Sequence, residues 1–404
     1  MNMRKLVLLF LGSVLLLLTG AGCQTSQPKV QTIFYPPLPD IPRLQFLTSF
    51  SSSTPWTARR TSFTEFIVGQ ETTEEGEITS PYGVAARNGK IYICDLGRRM
   101  VHVIDLAAKT RTRLGNADQL GLPVNITIAA DGTKYVCDTD LGRVAVFDAQ
   151  DRFVKPIGDP QRCVPADLAI DGDTLLVCNL LAAQVEVWSR DGKLLRTISK
   201  KGKAPGEFQL PTNIEISSGG EIFVSDTISS IVNVYDRQGR YLRSIGAPGD
   251  RPGYHARPKG LAFDPRGDLF VADAQWEVIQ VFAPAGNLLL FFGEASPEPQ
   301  GLGLPAGIAF DSTSLEFFRP YVAKDFEPEA LLFVANQHGK NKIVVYAFGN
   351  TKKAAAAAAT RPARTASARP STQPATMPGA DLQPAAPPST QPAAPQPVTR
   401  PAGQ

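Results

Sequence analysis

Histidine is almost absent from this chain: 404 residues contain three, His102, His255 and His338. A zinc site of three imidazoles would need all of them to converge. No Ser-His-Asp or Cys-His set stands at useful spacing, no paired CxxC occurs, and no phosphate-cradling Gly-rich loop lies between a strand and a helix. Long apolar runs are missing too. The longest, Leu6–Leu18, falls short of the roughly 17–25 residues that span a bilayer. Nor does the body of the chain carry a basic excess. The formal net charge is +3, but Arg4 and Lys5 supply +2 and residues 351–404 a net +5, which leaves residues 23–350 at −4. That balance excludes a basic nucleic-acid surface.

What is present at the ends is not fold. Residues 1–22 read as a secretory leader, basic then apolar then small. The small residues running into Cys23 resemble the lipobox of bacterial lipoproteins, with Gly20 where that motif favours leucine. The resemblance implies lipidation of Cys23, and an exported protein on the cell membrane or outer membrane, facing the periplasm or exterior. Residues 351–404, of Ala, Pro, Thr, Ser, Arg and Gln, have little to bury and are expected to form a disordered tail. Besides Cys23 there are Cys94, Cys137, Cys163 and Cys178. Three of them share one repeat position, which argues for small core residues before bridges or metal.

Between the ends the chain repeats. "SPYGVAARNGKIYICD" ends at Asp95, "LPVNITIAADGTKYVCD" at Asp138 and "VPADLAIDGDTLLVCN" at Asn179. "LPTNIEISSGGEIFVSD" ends at Asp226 and "RPKGLAFDPRGDLFVAD" at Asp273, while "LPAGIAFD" is interrupted and resumes as "ALLFVAN", ending at Asn336. The leading prolines, Pro81, Pro123, Pro165, Pro211, Pro258 and Pro305, are spaced 42, 42, 46, 47 and 47. A third apolar run follows each acid or Asn, and a fourth follows in the first five copies. Four short strands about every 45 residues are the signature of a propeller blade. The sixth copy lacks its fourth strand; Arg43–Phe50, "RLQFLTSF", has the required pattern and is expected to complete it. Residues 23–77 therefore form an N-terminal segment holding the closing strand, and "SFTEFIVG" (Ser62–Gly69) is expected to cap the core.

The motifs over 78–350 resemble NHL repeats, roughly Pro-x-Gly-Ile-Ala-x-Asp followed by Gly-x-Ile-Tyr-Val-x-Asp and Val-x-Val-Phe. The resemblance implies an all-β, six-bladed propeller and no single function, since relatives include scaffolds and enzymes. Amidating-lyase relatives place histidines just after the inner-strand proline. Here Tyr82, Val124, Ala166, Thr212, Lys259 and Ala306 stand there. Two residues after the proline come Gly83, Asn125, Asp167, Asn213, Gly260 and Gly307. Asn125, Asp167 and Asn213 thus bring oxygens to one level near the channel mouth, a candidate site for a divalent metal such as calcium, as in gluconolactonase-like relatives.

The acid ring, recurring in every blade, reads as turn structure. Residues that break the repeat are better binding candidates: Arg98, Arg99, Asp140, Arg143, Trp276, Glu277, His338 and Lys340, joined by Tyr254 and His255. The insertion Ser312–Glu329 should emerge on the opposite face, its Phe317, Phe318, Tyr321 and Phe326 forming either a docking patch or a channel plug. The leading expectation is a lipid-anchored, monomeric propeller that binds a protein or ligand, with contact to the membrane through the lipid and none to nucleic acid. The alternatives are a metal-assisted lyase or lactonase-like hydrolase at the channel mouth and a purely structural envelope protein.

Overall fold

A computed structural model describes residues 32–51 and 77–352. The leader, Cys23, the Ser62–Gly69 segment and the tail beyond Lys352 lie outside the described residues.

Valine- and isoleucine-rich runs separated by Gly- and Asp-bearing turns form 25 strands in six antiparallel sheets. Blade one holds β3 (Pro81–Arg87), β4 (Lys90–Asp95), β5 (Met100–Asp105) and β6 (Thr110–Leu114). Blade two holds β7 (Pro123–Ile128), β8 (Lys134–Asp138), β9 (Arg143–Phe147) and β10 (Phe153–Ile157). Blade three holds β11 (Pro165–Asp171), β12 (Thr174–Asn179), β13 (Gln184–Ser189) and β14 (Leu194–Ile198). Blade four holds β15 (Pro211–Ile216), β16 (Ile222–Asp226), β17 (Ile231–Tyr235) and β18 (Tyr241–Ile245). Blade five holds β19 (Pro258–Phe263), β20 (Leu269–Asp273), β21 (Val278–Phe282) and β22 (Leu288–Phe292). Blade six takes β23 (Pro305–Asp311), β24 (Phe326–Asn336) and β25 (Ile343–Thr351), then two strands from the other end of the chain. These are β2 (Leu44–Phe50), paired with β25, and β1 (Phe34–Tyr35), a fifth strand the repeat does not foretell. In every blade the leading proline pairs with the acid or Asn that ends the second strand, and a register shift follows at once. The proline costs little there because it opens the innermost strand, where its missing N–H breaks no ladder.

The inner strands neighbour one another around the axis, and β23 meets β3 to close the ring. Separate apolar clusters fill the seams between blades, which is how a sheet with two apolar faces covers both. The closing strand belongs to this packing: Leu44 is fully buried with Tyr346 and Phe348, and Leu47 and Phe50 enter the seam between blades six and one. Arg43, just before it, reaches blade five, with Nη2 at 2.5 Å from Asp268 and 3.3 Å from Asp264.

The ends differ slightly from expectation. Thr351, read as the first tail residue, is the last of β25, and Phe326–Glu329, read as loop, extends β24 because Glu327 and Phe326 find partners in Asn350 and Thr351.

Truncating Leu44 to Ala removes a fully buried side chain from the closing strand and is expected to cost about 2–5 kcal/mol in urea unfolding. Leu195→Ala, on an exposed outer-strand position, is expected to stay within about 0.5 kcal/mol.

Candidate functional site

The ring of acids is built into the turns. Asp95 accepts backbone N–H groups of Thr79 (2.8 Å), Ser80 (2.9 Å), Gly97 (3.0 Å) and Arg98 (3.2 Å). Asp138, Asn179, Asp226 and Asp273 each do the same for the strand entrance before them and the loop after them. All six ring residues are fully buried. Burial pushes the Asp95 carboxyl up, but the His102 imidazole at 3.2 Å and the Thr79 and Ser80 N–H groups outweigh it and hold the group down at about 2.

The crown end of the axis is closed. Tyr82, Val124 and Ala306 meet there, and all three are buried. Lys259 lies over Tyr82, its Nζ 5.1 Å from the ring centre and 2.5 Å from Gln337 Oε1. The candidates on this face do not converge. Arg99 pairs with Asp140 at 2.5 Å across two blades. Arg143 Nη2 donates to the carbonyls of Asp118 and Gln119, both at 3.1 Å, and Glu277 Oε1 accepts the Leu304 N–H. Arg98 lies 3.6 Å from Glu77. Trp276, Tyr254, His338 and Lys340 remain exposed. His255, expected in the surface set, is instead fully buried under Phe282 and beside Asp273, because its loop folds into the blade-five seam. His102 and His255 thus serve two different blades, and His338 stands apart from both.

Beneath these crown side chains lies a cavity of about 560 Å³, walled by the inner strands of all six blades. Its far end is lined by Arg87, Ala130, Ser312 and Thr313, of which the last three are exposed, so among the described residues it opens on the face opposite the crown. Asn125, Asp167 and Asn213 are brought together as the spacing implied, but at the buried floor of this cavity and not at a crown-side mouth. Crown-side access is lost because side chains of three blades meet above them. The glycines at the same level have a separate cause. A Cβ on Gly83 would fall 2.3 Å from Asn125 Oδ1, and one on Gly307 would fall 2.3 Å from the Tyr82 carbonyl, so blades one and six leave no room for a side chain. Gly260 is pressed in the same way against Ala306.

Every side-chain oxygen of the trio accepts at least one hydrogen bond. Asn125 Oδ1 accepts its neighbour Ile126 N–H at 3.0 Å, and Asn213 Oδ1 accepts the Tyr82 hydroxyl at 3.3 Å. Asp167 Oδ1 accepts Leu168 N–H at 2.8 Å, and Oδ2 accepts Ile214 N–H at 3.1 Å and Asn213 Nδ2 at 3.3 Å. Burial raises the Asp167 carboxyl to about 8, with the charge of Glu215 adding to the shift. A hard divalent cation needs ionised or free oxygens. One carboxyl that holds its proton at neutral pH, flanked by two committed amides, does not fit a tight calcium site. Two wall residues escaped the sequence reading: Glu215, two residues beyond Asn213 and raised by burial to about 7, and Asp311 near the mouth. A polar residue breaking the small-residue rule at its repeat position was the signal for Glu215, where blades one, three, five and six carry alanine.

The insertion is neither free surface nor plug. It forms α1 (Leu315–Phe318) and a short 3-10 turn, and Phe318 and Phe326 sink into the seam between blades six and one. Phe317 packs at the edge of that cluster, against Gly89; Tyr321 alone of the four aromatics is exposed. Cys94, Cys137, Cys163 and Cys178 are buried free thiols, their acidity suppressed chiefly by burial.

Asp95→Ala leaves four backbone N–H groups without their acceptor and is expected to cost about 3 kcal/mol or more at neutral pH. Because the folded carboxyl is held below its unfolded value of about 3.9, its contribution is complete above that value and lost as pH falls toward 2; acid unfolding of the variant should lack this component. Glu215 has the opposite sign. Its raised folded value makes its contribution complete below about pH 4.3 and lost as pH rises through 7, so Glu215→Gln should gain on the order of 1 kcal/mol relative to the parent at pH 8 and nothing at pH 4, measured by denaturant titration.

No protein-family model and no curated protein matches the chain. Solved structures do. A structural genomics protein of unknown function from Bacteroides thetaiotaomicron is 14% identical, with 67% of this chain and 70% of that chain covered at a TM-score of 0.51. A putative gluconolactonase is 12% identical over 68% and 90% of the two chains at 0.49. The virginiamycin B lyase from Staphylococcus aureus is 15% identical over 67% and 96% at 0.47. What this chain shares with such propeller-type proteins is the architecture, and that architecture is the six-bladed propeller.

Proposed function

We propose that this chain is an exported propeller, anchored through lipid on Cys23, that works as a binding module and takes its ligand in the axial cavity. The observation that carries the binding reading is the shape and lining of that cavity. It is closed at the crown by Tyr82, Val124 and Ala306 and accessible from the other end. Polar groups of blades two to four oppose a glycine wall on blades five, six and one. The cavity is concave and preformed, with polar groups converging from several blades that could orient a small polar molecule. The anchor rests on the leader and the small residues before Cys23.

A lyase or lactonase-like activity is the second reading. The pair of protonatable carboxyls Asp167 and Glu215 in one enclosed space favours it, since raised acids are what general acid–base chemistry uses. The donor set gives a metal no support.

The binding reading predicts that compounds stabilising the full chain in a thermal-shift screen lose their effect in Ala309→Leu, which narrows the cavity from the blade-six wall while changing no charge. Retention of every such effect in that variant would place binding elsewhere. Labelled palmitate entering the parent but not a Cys23→Ala variant is the expected result for the anchor. A full equivalent of tightly held calcium or zinc in the purified protein would favour the metal-assisted enzyme.

A further inference from the structure

Every blade presents its outer strand at the rim, and an unpaired strand edge offers N–H and C=O groups to any strand that reaches it. Four of the six edges are guarded by charge or proline. The outer strands β6 and β10 carry Arg111 with Arg113 and Lys155 with Pro156, and β14 and β18 carry Arg196 and Arg243. Blade six is extended by β1, whose pairing with β2 runs straight into Pro36 and Pro37. β22 is the exception. It reads Leu288-Leu289-Leu290-Phe291-Phe292, with neither charge nor proline, and among the described residues no strand pairs with its outer edge. Leu289 is 46% and Phe291 53% exposed. Exposed leucines also occur on β14 and β18, and a register shift marks four outer strands, β22 among them. What sets β22 apart is the missing guard.

The residues decide which strand fits there. A strand that pairs antiparallel with a second copy of itself about its third residue sets that residue against its twin, and the second against the fourth. For β10, β14 and β18 the twins would be Lys155, Arg196 and Arg243, and on β6 Arg111 would face Arg113. Like charges directly opposite destabilise a pair. On β22 Leu290 would face Leu290, and Leu289 would face Phe291 twice, so the two exposed side chains cover each other. A fifth strand at this radius has a neighbour waiting. β1 is such a strand on blade six, and its Tyr35 ring lies 5.3 Å from that of Phe292. The segment after it leaves Leu38 and Ile41 exposed before Arg43 binds blade five.

We propose that blade five is a self-pairing edge: two copies of the chain join antiparallel through β22 about a two-fold axis at Leu290, merging two four-stranded blades into one sheet. The contact uses the edge once in each copy, so the assembly closes at two. Main-chain N–H···O=C bonds supply the affinity, and the Leu289–Phe291 pairs set the register. One strand pair is small beside the roughly 1,200–2,000 Å² of stable complexes, so the dimer is weak, with a dissociation constant on the order of 10 µM. The inference concerns the rim and stands apart from what the axial cavity takes.

The test is sedimentation velocity over about 1–100 µM of the full chain carrying Cys23→Ala, in which no lipid on Cys23 can drive association. The expected result is a concentration-dependent equilibrium of monomer and dimer. Leu289→Glu and Phe291→Lys change exposed positions, so both should keep the parent's urea midpoint, and each alone should weaken the dimer about tenfold or more. Mixed together they should recover it, because Glu on one copy then faces Lys on the other. Leu195→Lys, at an exposed position on the guarded edge of blade three, should leave the equilibrium as in the parent. A monomer at every concentration overturns the proposal and leaves the edge to a strand of another chain. Growth beyond the dimer, a dimer that neither variant weakens, a mixture that stays monomeric, or equal weakening by Leu195→Lys overturns it as well.

Discussion

A four-stranded blade has two apolar faces, and only a neighbour on each side can cover them, so the molecule depends on closing its ring. The contact that does this is the pairing of β2 with β25, which joins residues almost three hundred positions apart in the chain. Loop-closure entropy opposes so distant a pairing, and its cost grows slowly with length. Burial of Leu44, Leu47 and Phe50 offsets it, at about 1.5–3 kcal/mol for each side chain wholly removed from water. Arg43 adds a clasp onto blade five through Asp264 and Asp268. Without closure the inner strands would not face a common axis, and the cavity would have no walls.

Within the ring, the residues that recur and the residues that vary occupy different positions. The acids that recur in each blade spend their oxygens on backbone N–H groups, and they order the turns that hold the crown together. The positions that vary, second, fourth and sixth after each proline, give the axis its chemistry. Blades one, five and six hold glycine at the second position because the adjacent strand stands in the way of a Cβ. Blades two, three and four hold Asn125, Asp167 and Asn213, whose polar ends turn to backbone and to one another. The result is a lopsided bore, polar on one arc and smooth on the other.

Buried acids in the two locations behave oppositely. Asp95 is surrounded by donors and stays ionised, so it strengthens the fold at neutral pH. Asp167 and Glu215 lose more by leaving water than the N–H groups they accept return, so they keep protons to unusually high pH and weaken it. A propeller does not need such groups for stability. Both line the axial cavity below the crown.

Much of this architecture was legible in the residues. Strand identity, the count of six and the incomplete last copy follow from local alternation and proline spacing, which need no long-range contact to be read. The closing strand followed from the missing one. The sequence also located Asn125, Asp167 and Asn213 at one level, since a repeat fixes height along the axis. It did not determine which end is open. That depends on Tyr82, packed with Val124 and Ala306 of the flanking blades, reaching across to Asn213 of blade four, a contact between residues 131 positions apart. It also did not reveal that Phe318 and His255 are buried, because an insertion and a loop carry no periodicity to mark their inward face. Glu215 and Asp311 join Asp167 only when the ring brings blades three, four and six around one space, so composition and register set the parts and closure decided their company.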